Sequence, residues 1–170
     1  MELIKDINQG DVLTFKANDG KYKAILCTST YKQRSPFFYN FVALTYDSFE
    51  WPQLKDIRAA HFYGKGNIKD DYFKYSDVQR EKIWAVHPEI KPYSLGGYGL
   101  LIVRKDFMKF RNKMEYVGNL RIVDHLEKNG SGSMNASDWD LLADFFVDRY
   151  KSVLEERGQN AFKVEAIVID

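Results

Sequence analysis

Cys27 is the only thiol in this 170-residue chain, and the imidazoles that could serve it are His61, His87 and His125. A thiol and an imidazole are the minimum for a nucleophilic hydrolase, in which the imidazole removes the thiol proton. Cys27 lies within an alternating, strand-like run, not at a helix start where backbone dipoles would lower its pKa. It also lacks the small-residue surroundings of cysteine hydrolases. A buried structural thiol is therefore preferred to a Cys27 hydrolase. The three histidines are too far apart in the chain for a zinc motif, and no His-Glu-x-x-His or calcium-loop pattern occurs, so no metal or other cofactor is expected. No Gly-x-Ser-x-Gly elbow is present to activate a serine. Gly96-Gly97-Tyr98-Gly99 leads into a strand, whereas a phosphate cradle follows a strand and opens a helix. These searches assign no reaction, and the chain is read as non-enzymatic.

Two charged segments remain. Arg104, Lys105, Lys109, Arg111 and Lys113 are interleaved with Phe107, Met108 and Phe110. Cations could meet phosphates and exposed rings could stack on bases, with Tyr98 as a further ring. Residues 97–103 partly match an RNA-recognition strand, but Leu100 and Val103 occupy later ring positions. A nucleic-acid-binding domain built on 104–113 is thus the alternative function; a solvated turn with core rings is the plainer account. Asp140, Asp144 and Asp148 stand at i, i+4 and i+8, with Glu155 further along. Like charges at this spacing cost a helix about 0.2–0.5 kcal/mol per pair. They form either a solvated face or a docking surface for a basic partner, since complementary charge steers association.

The elements positioning these groups can be read from periodicity. Residues 12–16 alternate, Asn18-Asp19-Gly20 supplies hairpin-turn chemistry, and 21–28 form the return strand. Residues 37–46 are apolar on both faces and predict a central strand. A polar loop, 31–36, joins them. Pro52 is expected to open a short helix reaching about residue 60, and Ser76 to cap another. Pro88 and Pro92 enforce irregular chain. A buried strand is expected at 98–104, with 116–123 as its antiparallel neighbour and Gly118 as a bulge. After a Gly/Ser connector at 129–133, Ser137 is the expected cap of a long helix. Its apolar face is Trp139, Leu142, Phe146, Tyr150, Val153 and Leu154, and Gly158 ends it. A last strand, 162–169, is expected to pair into the sheet. The fold class is α+β: a twisted, mainly antiparallel sheet or partial barrel with the long C-terminal helix packed on it. Residues 1–170 form one domain, in which 136–170 is a helix-strand unit completing the sheet.

The composition is globular, with 45% hydrophobic and 29% charged residues. The formal charge of +1 excludes a general polycation. It conceals an asymmetry, because residues 129–170 hold eight acidic and four basic side chains. The start is acidic and no long apolar run comes after it, so cytoplasmic residence without membrane contact is expected.

Gly10-Asp11-Val12, Asp19-Gly20-Lys21-Tyr22 and Tyr116-Val117-Gly118-Asn119 resemble the pattern of the immunity protein 26 family. The resemblance implies a small β-rich bacterial domain that neutralises a polymorphic toxin by occupying it, with no catalytic residue. The partner it implies is a toxin domain, and the acidic positions Asp140, Asp144, Asp148 and Glu155 would suit a basic one.

Overall fold

The computed structural model describes residues 2–68, 77–86, 94–97, 99–122, 134–156 and 160–169. The hairpin forms as its alternation and turn dictate. β1 (Asp11–Lys16) pairs antiparallel with β2 (Tyr22–Tyr31), with Leu13 opposite Ile25. Gly20 closes the turn at φ +79°, a backbone conformation with little cost for glycine alone. Its N–H donates to the Ala17 carbonyl at 3.0 Å. β3 (Phe38–Ala43) lies between β2 and a later strand, as its two apolar faces require.

α1 (Leu54–Ala59) starts later than expected. Pro52 precedes the cap residue Gln53, whose N–H donates to Asp56 Oδ2 at 2.9 Å. β4 (His61–Ile68), α2 (Asp77–Val86), β5 (Ser94–Gly97) and β6 (Gly99–Val103) come next. The cap expected at Ser76, both later prolines, Tyr98 and the 129–133 connector lie outside the described residues. Arg104 opens α3 (Arg104–Phe110), which tightens into a 3-10 turn, Arg111–Lys113.

That turn redirects the chain and overturns one expected pairing. β7 (Glu115–Asn119) does not neighbour β6 but crosses to pair with β1. Val12 opposes Gly118 and Leu13 opposes Tyr116, leaving Val117 as the extra residue of a bulge. The bulge expected at Gly118 thus falls one residue earlier, at Val117, and in a different strand pair.

β8 (Met134–Asn135) adds a parallel edge beside β6. The larger sheet runs β7-β1-β2-β3-β6-β8, with five antiparallel strands and this one parallel addition. The smaller runs β5-β4-β9, where β9 is Asn160–Lys163. The expected final strand therefore ends early. Val164–Ile167 winds into a 3-10 turn, which buries Val164, Ala166 and Ile167 together, a spacing that strand alternation cannot serve.

The expected long C-terminal helix is a correction. The chain forms α4 (Trp139–Asp144), a π-helical segment (Phe145–Arg149) and α5 (Tyr150–Glu156). Phe145 and Phe146 are consecutive and both buried. The wider π turn accommodates both: Phe146 meets Phe15 of the sheet, and Phe145 packs on Phe146 and Tyr150. The cap is Asp138, not Ser137: its Oδ1 accepts from the Leu141 N–H at 2.9 Å. Gly158 is outside the described residues.

The larger sheet carries a core on each face. One face packs Leu13, Phe15, Ile25, Tyr39 and Phe41 against Phe107, Phe110, Phe146 and Tyr150. Phe15 meets Phe146 edge-on at 5.2 Å, a favoured aromatic geometry. The opposite face packs Val12, Leu26 and Val42 against Ile57, Phe62, Phe162 and Ile167. Each such buried side chain stabilises by about 1.5–3 kcal/mol. The molecule is accordingly α+β, with α3 and the C-terminal helical segments on one face and the small sheet, α1 and α2 on the other. Among the described residues no helix is long and apolar enough to cross a membrane.

Candidate binding groove at the β7 edge

The residues singled out for chemistry do not form one site. Cys27 is fully buried, and its Sγ donates to the Ser29 carbonyl at 3.4 Å. Burial, reinforced by the Asp11 carboxylate, pushes the thiol far above its usual range. That is the opposite of nucleophilic activation. His61 sits on β4; His87 and His125 lie outside the described residues. Among the described residues no group of three His, Cys, Asp or Glu could hold a metal ion.

The basic segment keeps its cations outward but not its rings. Phe107 and Phe110 are buried, leaving Met108 as the exposed apolar side chain of the set. Lys109 pairs with Asp106 at 3.0 Å, and Arg111 Nη1 donates to the Ile4 carbonyl at 3.1 Å. Arg104 begins α3 at the end of β6, Lys105 is exposed, and Lys113 ends the 3-10 turn. A stacking surface for bases is therefore not assembled from Phe107 and Phe110.

Asp140, Asp144 and Glu155 are exposed. Asp144 Oδ1 accepts from Asn18 Nδ2 at 2.6 Å, tying the helical segment to the β1–β2 turn. The Asp148 backbone lies in the π segment, and its side chain is outside the described residues. The extra residue of a π turn rotates the succeeding helix by about 100°, which moves Glu155 from one side of Asp140 to the other, about 40° away, so it stays on the same broad helix face. Glu155 lies close enough to Tyr63 to add to burial in raising that phenol.

A different feature offers a concave surface. A groove of about 590 Å³ is lined by Glu2, Leu3, Lys5, Asp11, Trp51 and Tyr116, among others. The lining includes Glu2, Asp6, Asp11, Glu115 and Lys5; Asp11 is buried and Asp6 is paired with Lys32, so Glu2 and Glu115 carry its open negative charge. Trp51 is 42% exposed and Tyr116 50%. Large half-exposed Trp and Tyr rings are the residue types enriched at protein-binding hot spots.

The groove is held in shape from several directions. Trp51 Nε1 donates to Glu115 Oε2 at 3.0 Å, fixing ring and carboxylate together. Asp11 is buried at the start of β1, and its oxygens accept from Asn8 N at 2.7 Å, Asn119 Nδ2 at 2.8 Å and Tyr116 OH at 3.4 Å. Burial and this carboxylate push the Tyr116 phenol up. Asp6 pairs with Lys32 at 2.7 Å and accepts from Tyr39 OH at 3.3 Å. Burial alone would raise the Asp6 carboxyl, but the Lys32 ammonium outweighs it and holds it below the usual range. Burial and Asp6 push Tyr39 up to about 12. Ile4 and Ile7, buried in the core, anchor the N-terminal segment that forms one wall.

Sequence reasoning missed this groove because its parts come from residues 2–11, 51 and 115–116. The signal available was Gly10-Asp11 and Tyr116 to Asn119, two motifs that nothing in their spacing joins. Comparisons with protein-family models, curated proteins and solved structures return no match.

Proposed function

We propose that this chain is a non-enzymatic protein-interaction module, an immunity-like inhibitor that occupies a basic bacterial toxin domain. The observation that carries the reading is the preformed groove, with exposed Trp51 and Tyr116 beside the open carboxylates of Glu2 and Glu115. Rings supply contact area at low entropic cost, and the negative surround steers a cationic surface toward them. The short motifs resembling immunity protein 26 supply toxin neutralisation as the purpose. Asp140, Asp144, Asp148 and Glu155 would act at the margin, affecting encounter more than residence.

The test is co-expression with the product of the neighbouring gene, scoring its toxicity and growth rescue and isolating the complex. Rescue by the native chain and its loss on Trp51→Ala with Glu115→Lys support the proposal. Lysine at 140, 144 and 148 together should slow association while leaving rescue in place. Absence of both rescue and complex, or rescue untouched by the groove substitutions, overturns it.

A further inference from the structure

The groove has an unusual relation to the strand beside it. Glu115 and Tyr116 are consecutive residues of β7, so their side chains leave opposite faces of the sheet. Both nevertheless line one groove. A cavity touched from both faces must pass around the edge of the strand. The edge facing β1 is occupied by paired backbone, from Asp11 opposite Asn119 to Thr14 opposite Glu115. The groove therefore reaches the outer edge of β7 at its first two residues, Glu115 and Tyr116. β7 is the terminal strand of the larger sheet, and among the described residues β1 is its one strand partner.

The two flanks differ in structure and share a charge. Trp51 and Glu115 form one, joined by their 3.0 Å hydrogen bond. Tyr116 and the N-terminal segment form the other, where Asp11 is buried and Asp6 is paired with Lys32, so the exposed Glu2 carries its charge. An added strand would send successive side chains alternately to these flanks. Arginine suits them better than lysine, because its planar guanidinium can pair with a carboxylate while stacking on an aromatic face.

We infer that the partner docks as an extended segment added to the outer edge of β7, with two consecutive arginines straddling that edge. One arginine reaches Glu115 beside Trp51, and the other reaches the Tyr116 flank. The inference rests on the protein-binding reading above and specifies its mode: backbone pairing supplies affinity and the two flanks supply selectivity. The occupant is a protein segment rather than a free amine, because an outer strand edge offers backbone donors and acceptors along its length.

The probe is the blocked hexapeptide acetyl-Thr-Val-Arg-Arg-Val-Thr-amide, titrated into the ¹⁵N-labelled full chain. Shifts should concentrate in the amides of residues 115–119 and the Trp51 indole N–H. Replacing both arginines by citrulline keeps shape, removes charge and should weaken binding by about tenfold or more. Two N-methylated peptides, blocked at odd or at even positions, test the backbone. One set faces β7 and should lose about tenfold, while the other changes little. Equal affinity for all three backbones overturns strand addition, as does no shift at millimolar peptide. Toxin rescue is scored separately, so intact rescue with a failed peptide refutes this docking mode while the interaction reading stands.

Discussion

Lys23 should contribute measurable stability through its charge, although it is a buried residue near the start of β2. Its side chain is 2% exposed, and its ammonium pairs with Asp19 at 2.8 Å and with Asp47. Asp19 and Asp47 are themselves 27% and 42% exposed. Breaking a fully buried pair costs about 3–5 kcal/mol, because the abandoned charge cannot rehydrate. Here the abandoned carboxylates can reach water, so Lys23→Met should cost about 1.5–2.5 kcal/mol at pH 7, close to one buried charge-assisted hydrogen bond. Methionine retains the stem, so packing nearly cancels. For a chain of this length the melting temperature should fall by about 3–10 °C. Burial opposes the charged forms, yet the hydrogen bonds win: Lys23 is raised above 10.5 and Asp19 held below 3.8. The contribution is therefore complete between those values. It declines as pH falls through the lowered Asp19 pKa, and again as pH rises through the raised Lys23 pKa. Urea unfolding followed by tryptophan fluorescence, at pH 7 and in steps to pH 2.5, measures both the cost and its loss in acid. A cost below about 0.5 kcal/mol at pH 7, or one that persists unchanged in acid, refutes the reasoning.

Gly118→Val should destabilise by about 1–3 kcal/mol in the same assay, since a Cβ there would lie 2.7 Å from Leu54 Cδ1 at φ +157°. Leu54→Ala in that background should recover part of the loss; equal stability of Gly118→Val and the native chain would contradict the packing described. Native Cys27 should resist iodoacetamide at pH 8 and react on denaturation, because burial holds the thiol protonated. Stoichiometric native labelling, read by intact mass, would revive thiol catalysis.

The parts of the fold that sequence disclosed are those fixed by short-range chemistry. Asp19-Gly20 sets the first hairpin, and the two apolar faces of residues 38–43 place that strand centrally. Both signals act within a few residues. The partner of β7 is decided instead by the 3-10 turn at 111–113, which carries the chain past its sequence neighbour. The π segment was hidden because apolar steps of three and four also fit a regular helix. The consecutive Phe145 and Phe146 were the available clue. The groove was illegible for a different reason: Trp51 and Glu115 share a hydrogen bond across 64 positions, and no periodicity records such a meeting.

The position of β1 between β2 and β7 also has a consequence for synthesis. β1 is complete at Lys16, and β2 is made within the next fifteen residues, but β7 begins only at Glu115. At about 5–20 residues per second, the second side of β1 waits roughly 5–20 s for its neighbour. During that interval the emerging meander presents Val12, Leu13 and Phe15 along an unpaired backbone, a template on which another nascent chain can pair. Crowded ribosomes should therefore trap this protein in aggregates by coupling first strands from different chains, and slowing initiation should raise the soluble yield more than slowing elongation.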